Sequence, residues 1–200
     1  MLKQTAALLA LASASGLAAA DVNAIGEFFG ESFETFENVA TPGAHPSPLS
    51  VFNGTATLDD SIAHTIVIAF NFFGPAGEVL PLGGNLFGAS LAGAAVFEFD
   101  SEIRQFGGYV NTVGLNGGGT AVFRDGEGEI IDTVAFTSEA LEWTWIGWES
   151  DVAFTTIELT GANGVGQGLL FDNLTVSSVP APSGMAVLSL GFIAGARRRR

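Results

Sequence analysis

Between residues 21 and 178 the chain is a succession of short apolar or alternating runs broken by Gly, Asn, Asp and Pro. Apolar side chains at every second position turn one face of an extended segment inward, whereas a helix would repeat them every 3.6 residues. The runs predict strands over 31–38, 50–58, 62–72, 94–100, 105–112, 119–124, 129–136, 143–149, 154–160 and 168–177. Short strands at this spacing, with no sustained helical period among them, predict an all-β domain. The clearest hairpin starts at Thr120, where Asp125-Gly126 and Glu127-Gly128 offer the positive-φ positions of a tight turn. Phenylalanine recurs at strand positions, which suits the core of a β-sandwich.

The two ends depart from this pattern. At the front, Lys3 supplies a positive charge, Ala6 to Leu17 form an apolar, helix-favouring run, and Ala18-Ala19-Ala20 offers small residues for signal peptidase. That order predicts a signal helix over 1–20 and Asp21 as the first mature residue. At the back, Val179-Pro180-Ala181-Pro182 precedes the apolar run Gly184 to Ala196 and then Arg197-Arg198-Arg199-Arg200. The run is shorter than the roughly 20 residues of a full span, but arginine stems can snorkel at one end. Arginines at that end hold it in the cytoplasm and leave the preceding domain outside. Both ends predict the same topology.

The tail resembles the PEP-CTERM sorting signal, which exosortase-type membrane enzymes recognise. The matching residues are Val179, Pro180, Pro182, the short hydrophobic helix, and Arg197, Arg198, Arg199 and Arg200. Where the usual motif has Glu between the prolines, this chain has Ala181. The resemblance implies transient membrane insertion through the tail, an exosortase-type partner besides signal peptidase, and a destination at the cell surface, outer envelope or extracellular matrix. The domain organisation expected is a signal peptide (1–20), one β domain (21–178) and a sorting tail (179–200).

Charge narrows the function classes. All 21 carboxylates of the chain lie within 21–178, against two arginines, Arg104 and Arg124, a net charge of −19 with histidines neutral. Nucleic-acid binding is excluded, because phosphate contacts need Lys and Arg. The chain has no cysteine, which removes disulfides, thiolate metal sites and cysteine nucleophiles together.

The second half has a cadence of its own: Phe97-Glu98-Phe99-Asp100, Phe106-Gly107-Gly108-Tyr109, Ile146-Gly147-Trp148, Phe154 to Leu159, and Leu170-Phe171-Asp172-Asn173-Leu174. Over about residues 94 to 177 it resembles the jelly-roll domains that often precede PEP-CTERM tails. The fold expected is therefore an all-β, jelly-roll-like β-sandwich, flanked by an N-terminal signal helix and a short C-terminal hydrophobic helix.

Three constellations could carry chemistry. Glu98, Asp100 and Glu102 alternate along one strand, so all three carboxylates share a face while Phe97 and Phe99 turn to the core. This E-x-D-x-E pattern resembles the catalytic strand of jelly-roll β-glucanases, which would make Glu98 and Glu102 nucleophile and acid/base. Retaining glycosidases hold two such groups about 5–5.5 Å apart. Ser101 replaces the usual apolar residue, and in a chain this acidic the same pattern also arises as the solvated face of a strand. Glu34 and Glu37 on the first strand, with Asp172 and Asn173 on the last, could share a calcium ion, which takes six to eight oxygen ligands. Trp143 and Trp145, with Tyr109, could stack sugars through their flat apolar faces, with Trp148 on the opposite parity. Gly88 to Ala92 only approximates a nucleophile elbow and lacks the α/β setting that motif needs. His64 reads as a surface strand residue and His45 as part of a Pro-rich loop. The expected function is a non-catalytic surface or matrix protein that binds extracellular polysaccharide. A secreted glycoside hydrolase and a purely structural matrix protein are the alternatives.

Overall fold

A computed structural model describes residues 21–39, 41–74, 77–112, 117–139, 141–162 and 169–178. The expected signal helix and sorting tail both lie outside the described residues. Among the described residues no helix is long and apolar enough to cross a membrane.

The strands are β1 (Val22–Ala24), β2 (Ser32–Glu34), β3 (Gly43–Pro46), β4 (Leu49–Val51), β5 (Ala56–Asp60), β6 (Thr65–Ala69), β7 (Phe72–Gly74), β8 (Gly77–Val79), β9 (Phe87–Ser90), β10 (Ala95–Thr112), β11 (Gly119–Arg124), β12 (Ile130–Phe136), β13 (Thr144–Gly161) and β14 (Leu169–Ser177). All but the β7–β8 hairpin belong to one antiparallel sheet that folds over into two layers. The folding takes place within β10 and β13, which run through both layers. The first layer joins β4, β5, the front of β10, the back of β13, β11 and β12. The second joins β1, the front of β13, the back of β10, β14, β9, β6 and β3, with β2 on β14 beside β9. The corner of β10 is visible in its ladder, which breaks between Glu98 and Ile103 and again between Ile103 and Gln105. The result is the expected all-β, jelly-roll-like sandwich.

Alternation decides what fills it. Phe97, Phe106, Phe123, Phe154 and Phe171 are fully buried, with Trp148 among them. Phe97 meets Phe106 and Phe171 across the layers at ring distances of 5.3 and 5.5 Å. A smaller apolar cluster, centred on Phe87, Val79 and Leu170, covers the outward side of the second layer.

Several segments differ from the sequence expectation, each for a physical reason. The strands expected at 94–100 and 105–112 are one strand, as are those at 143–149 and 154–160, because backbone pairing continues past corners whose polar residues read as turns. The run 50–58 is cut by a 3-10 turn at Phe52–Gly54, which makes β4 and β5 a hairpin. The run 31–38 shrinks to β2, so Glu37 lies in the turn that follows rather than on the strand. His45 is on β3, opposite Ile66, and not in a loop. Pro46 hid that strand, yet β3 ends the sheet order, where a missing N–H is tolerated. His64 sits in the turn before β6 with φ 47°, its Nδ1 3.2 Å from Asp59 Oδ2. The hairpin at Asp125 closes as expected, with Gly128 at φ 85° and its N–H donated to Asp125 O at 3.1 Å.

One carboxylate ties two of these turns together. Asp60 is fully buried and accepts backbone N–H groups from Ile62, Ala63, Leu91 and Ala92, and the Ser90 hydroxyl. Burial alone would raise its pKa, but these bonds hold it well below the usual carboxylate range. Ser90, the would-be elbow nucleophile, is a buried strand residue serving this network.

Candidate functional site

The outward face of the second layer carries a different aromatic group from the core. On β13, Trp145 and Gly147 have the opposite parity to the buried Ile146 and Trp148; on β10, Gly107 and Tyr109 have the opposite parity to Phe106 and Val110. Cross-strand register pairs Gly107 with Gly147 and Tyr109 with Trp145. The two glycines make room for the indole. A Cβ at Gly107 would lie 2.6 Å from Trp145 Cζ2, and one at Gly147 would lie 2.9 Å from its Nε1. Trp145 therefore lies over the glycine pair, with Tyr109 against it edge-on at 5.5 Å.

The chain after β1 crosses this face as a strap. Ile25 N donates to Gly147 O at 2.8 Å, and Trp145 Nε1 donates back to Ile25 O at 3.3 Å. Tyr109 OH donates to Glu27 Oε1, which holds the phenol above its ordinary pKa. Phe28 meets Trp145 edge-on at 6.1 Å. Gly30 N and Glu31 N then bond to Thr175 Oγ1 and Val176 O, and the strap enters β2, where Phe33 pairs with Thr175. Its path leaves a cleft of about 150 Å³ lined by Glu27, Phe28, Phe29, Phe33, Trp145, Asn173 and Thr175. Phe29 is 98% exposed and Phe33 50%. Exposed aromatics beside a cleft are the kind of surface that marks a binding site.

The sugar-stacking expectation is thus divided. Trp145 and Tyr109 come together, while Trp143 precedes β13, packs against Phe87 at 5.7 Å and donates to Leu80 O at 2.7 Å in the outer apolar cluster. Trp148 is in the core against Phe123 and Phe136. Phe28, Phe29 and Phe33 were missed by sequence reasoning. The signal was present: Gly26-Glu27-Phe28-Phe29-Gly30 puts two aromatics in a segment with no alternation to bury them.

The four residues expected to share calcium fall into two groups. β2 and β14 are neighbours, with Glu34 opposite Leu174. Glu34 nevertheless turns inward, and its two oxygens accept Phe36 N and Phe52 N, each at 2.7 Å. Both donors are buried residues in left-handed backbone, φ 61° and 52°, a conformation bulky side chains rarely adopt. Glu37, Asp172 and Asn173 instead gather on the segment 82–86. Asp172 accepts Leu82 N and Asn173 N at 2.8 Å each, Asn173 Nδ2 donates to Leu82 O, and Glu37 accepts Asn85 N and Leu86 N. Glu34 is thus bonded away from the other three, and among the described residues no three acidic or histidine side chains converge as a metal site. Burial, aided by the charge of Glu37, pushes Asp172 up to about 6. Backbone N–H groups from Asn85 and Leu86 lower Glu37.

Glu98, Asp100 and Glu102 are all exposed, with Phe97 and Phe99 buried as their alternation requires. They occupy the corner of β10, where Asp100, Ser101 and Glu102 have no ladder partners. None of the three lines the aromatic cleft.

No protein-family model matches the chain, and no curated protein matches it. Among solved structures, a family 6 carbohydrate-binding module is similar at 12% identity and a TM-score of 0.36, over 74% of this chain and 94% of that one. A mutant of a family 29 carbohydrate-binding module is similar at 17% identity and a TM-score of 0.34, over 78% of this chain and 90% of that one. The enzymatically active domain of tailspike protein 4 from bacteriophage CBA120 is similar at 15% and 0.37, over 62% of this chain and 19% of that one. At these scores and identities the likeness assigns this chain neither a family nor a ligand.

Proposed function

We propose that this is an exported, non-catalytic surface or matrix protein that binds an uncharged polysaccharide at the aromatic cleft. The observation that carries the reading is Phe29, almost wholly exposed beside a cleft whose wall is Trp145 and whose polar edge is Glu27, Asn173 and Thr175. A sugar ring offers just this mixture: C–H faces that stack on aromatic rings and hydroxyls that both donate and accept. The charge of −19 disfavours anionic glycans and nucleic acids alike. Export rests on residues 1–20 and 179–200, read as substrates of signal peptidase and of an exosortase-type enzyme, with the tail passing transiently through the membrane.

The test is retention of the protein on uncharged glucans, mannans and galactans, with reducing ends measured in parallel. Wild type should bind without releasing reducing ends, and Phe29→Ala should weaken binding about fivefold, since a stacked ring contributes on the order of 1 kcal/mol. Binding that survives both Phe29→Ala and Trp145→Ala would overturn the site. Reducing ends released by wild type but not by Glu98→Gln or Glu102→Gln would promote the hydrolase reading. No retention on any of these polymers would leave a purely structural role.

A further inference from the structure

We infer that the binding surface continues past the cleft, over Phe33 and into a second groove, so that the protein holds a run of units along an uncharged polysaccharide rather than a single sugar. This rests on the aromatic cleft being a sugar site. The second groove, of about 440 Å³, is lined by Phe33, Thr35, Asn38, Ser50, Asn53 and Gly54 among others. Phe33 lines both depressions and is half exposed, so one ring stands between them. Its place is fixed by backbone: β2 is bonded to β14 with Phe33 opposite Thr175, itself a wall of the cleft.

The chemistry of the groove complements the cleft. Its exposed walls present hydroxyls and amides, which donate and accept hydrogen bonds as sugar hydroxyls do. The one carboxylate in its lining, Glu34, is turned away: the residue is 6% exposed and both oxygens are held by Phe36 N and Phe52 N. That carboxylate is a positioning group. It anchors the turn after β2 and the turn after β4 to one another, and residues of both turns line the groove. The ligand is uncharged for a second reason. Arg124 is bonded to Glu158 and Gly128 O, and Arg104 to Asp151 O, so the two cations of the domain are committed on other strands.

The measurement is calorimetric titration of the full chain with β-1,4-linked glucose, β-1,3-linked glucose and β-1,4-linked mannose oligomers of two to six units. Affinity for the recognised linkage should rise at least tenfold from two to five units. Asn38→Ala and Ser50→Ala, both exposed positions, should together weaken the five-unit oligomer about fivefold and leave the two-unit oligomer unchanged, whereas Phe29→Ala should weaken both. Equal affinity at every length, or groove variants that bind five units like wild type, would overturn the extension and leave the cleft intact. An oligogalacturonate bound as tightly as the neutral oligomers would overturn the uncharged class. If wild type binds none of the neutral oligomers, the cleft reading itself falls, and the extension with it.

Discussion

Phe97 and Phe106 lie nine residues apart on one strand, yet their rings meet at 5.3 Å. A straight strand would separate them by about 30 Å. Their contact records the fold of β10 upon itself and puts the acidic run Glu98 to Glu102 at the outside of the bend. Removing Phe97 should therefore unlock both layers. Phe97→Ala is expected to cost about 4 kcal/mol, while Glu98→Gln and Glu102→Gln, at exposed positions, should stay within about 0.5 kcal/mol of wild type. Urea denaturation midpoints distinguish these outcomes, and a large loss in either Glu variant would mean the corner depends on its charges.

Asp60→Asn should cost about 3 kcal/mol, because an amide puts a donor where five protein donors converge on a carboxylate. The pH dependence has a definite sign. With the folded pKa depressed below the ordinary 3.8, this stabilisation is fully present above about pH 4 and is lost as pH falls toward the folded value. Wild type should lose stability in acid more steeply than Asp60→Asn below pH 4.

Asp172 has the opposite sign. Its folded pKa, raised from 3.8 to about 6, makes the protonated form the better fit. Stability from this residue is full below pH 4 and is lost as pH rises through 6, by at most about 3 kcal/mol. Glu37, the neighbouring carboxylate, is lowered and acts the other way, so the informative quantity is the difference between wild type and Asp172→Asn, whose slope between pH 4 and 6 should be flatter. Repeating the titration with millimolar calcium at constant ionic strength tests the ion. Binding between Glu37 and Asp172 would move the transition to lower pH, and an unmoved transition would assign both residues to hydrogen bonding alone.

Gly107→Ala should disturb the site without emptying the core. The added Cβ would lie 2.6 Å from Trp145 Cζ2 and 3.0 Å from Phe28 Cε1, so the indole must shift. Overpacking of this kind costs about 1–3 kcal/mol. Near-ultraviolet circular dichroism should change and glycan binding should weaken; an unchanged spectrum would place Trp145 elsewhere.

Cleavage after Ala20 should leave an α-amino group within reach of a partner. Asp21 N donates to Asp151 Oδ1 at 2.9 Å, and Asp151 N donates to Asp21 O. In a chain starting at Asp21 that donor becomes an ammonium facing a carboxylate, an exposed pair contributing less than about 1 kcal/mol. Intact-mass analysis of protein exported by the native host should find Asp21 first, and a mature chain retaining Met1 would reject the leader.

What the sequence alone determined is what local physics dictates. Alternation placed Phe97 and Phe99 inward and Glu98, Asp100 and Glu102 outward, since a strand's side chains change face at every residue whatever it pairs with. Gly128 named its turn because glycine tolerates positive φ without a Cβ clash, whereas Gly126, offered by the same reasoning, is not in the positive-φ region. The leader and tail are expectations of the same local kind, runs of charge and apolarity read in order, on segments outside the described residues. Only the tertiary structure decided which of these local pieces meet. It set Trp145 with Tyr109 and sent Trp143 to Phe87, and it joined Glu37 to Asp172 while folding Glu34 beneath Phe36 and Phe52. It also laid Phe28 over Trp145, along a strap whose path depends on the Gly107–Gly147 register. The register relates Gly107 to Gly147, forty residues on, and the strap relates Phe28 to Trp145, more than a hundred residues on; no periodicity within any one of these segments encodes either relation.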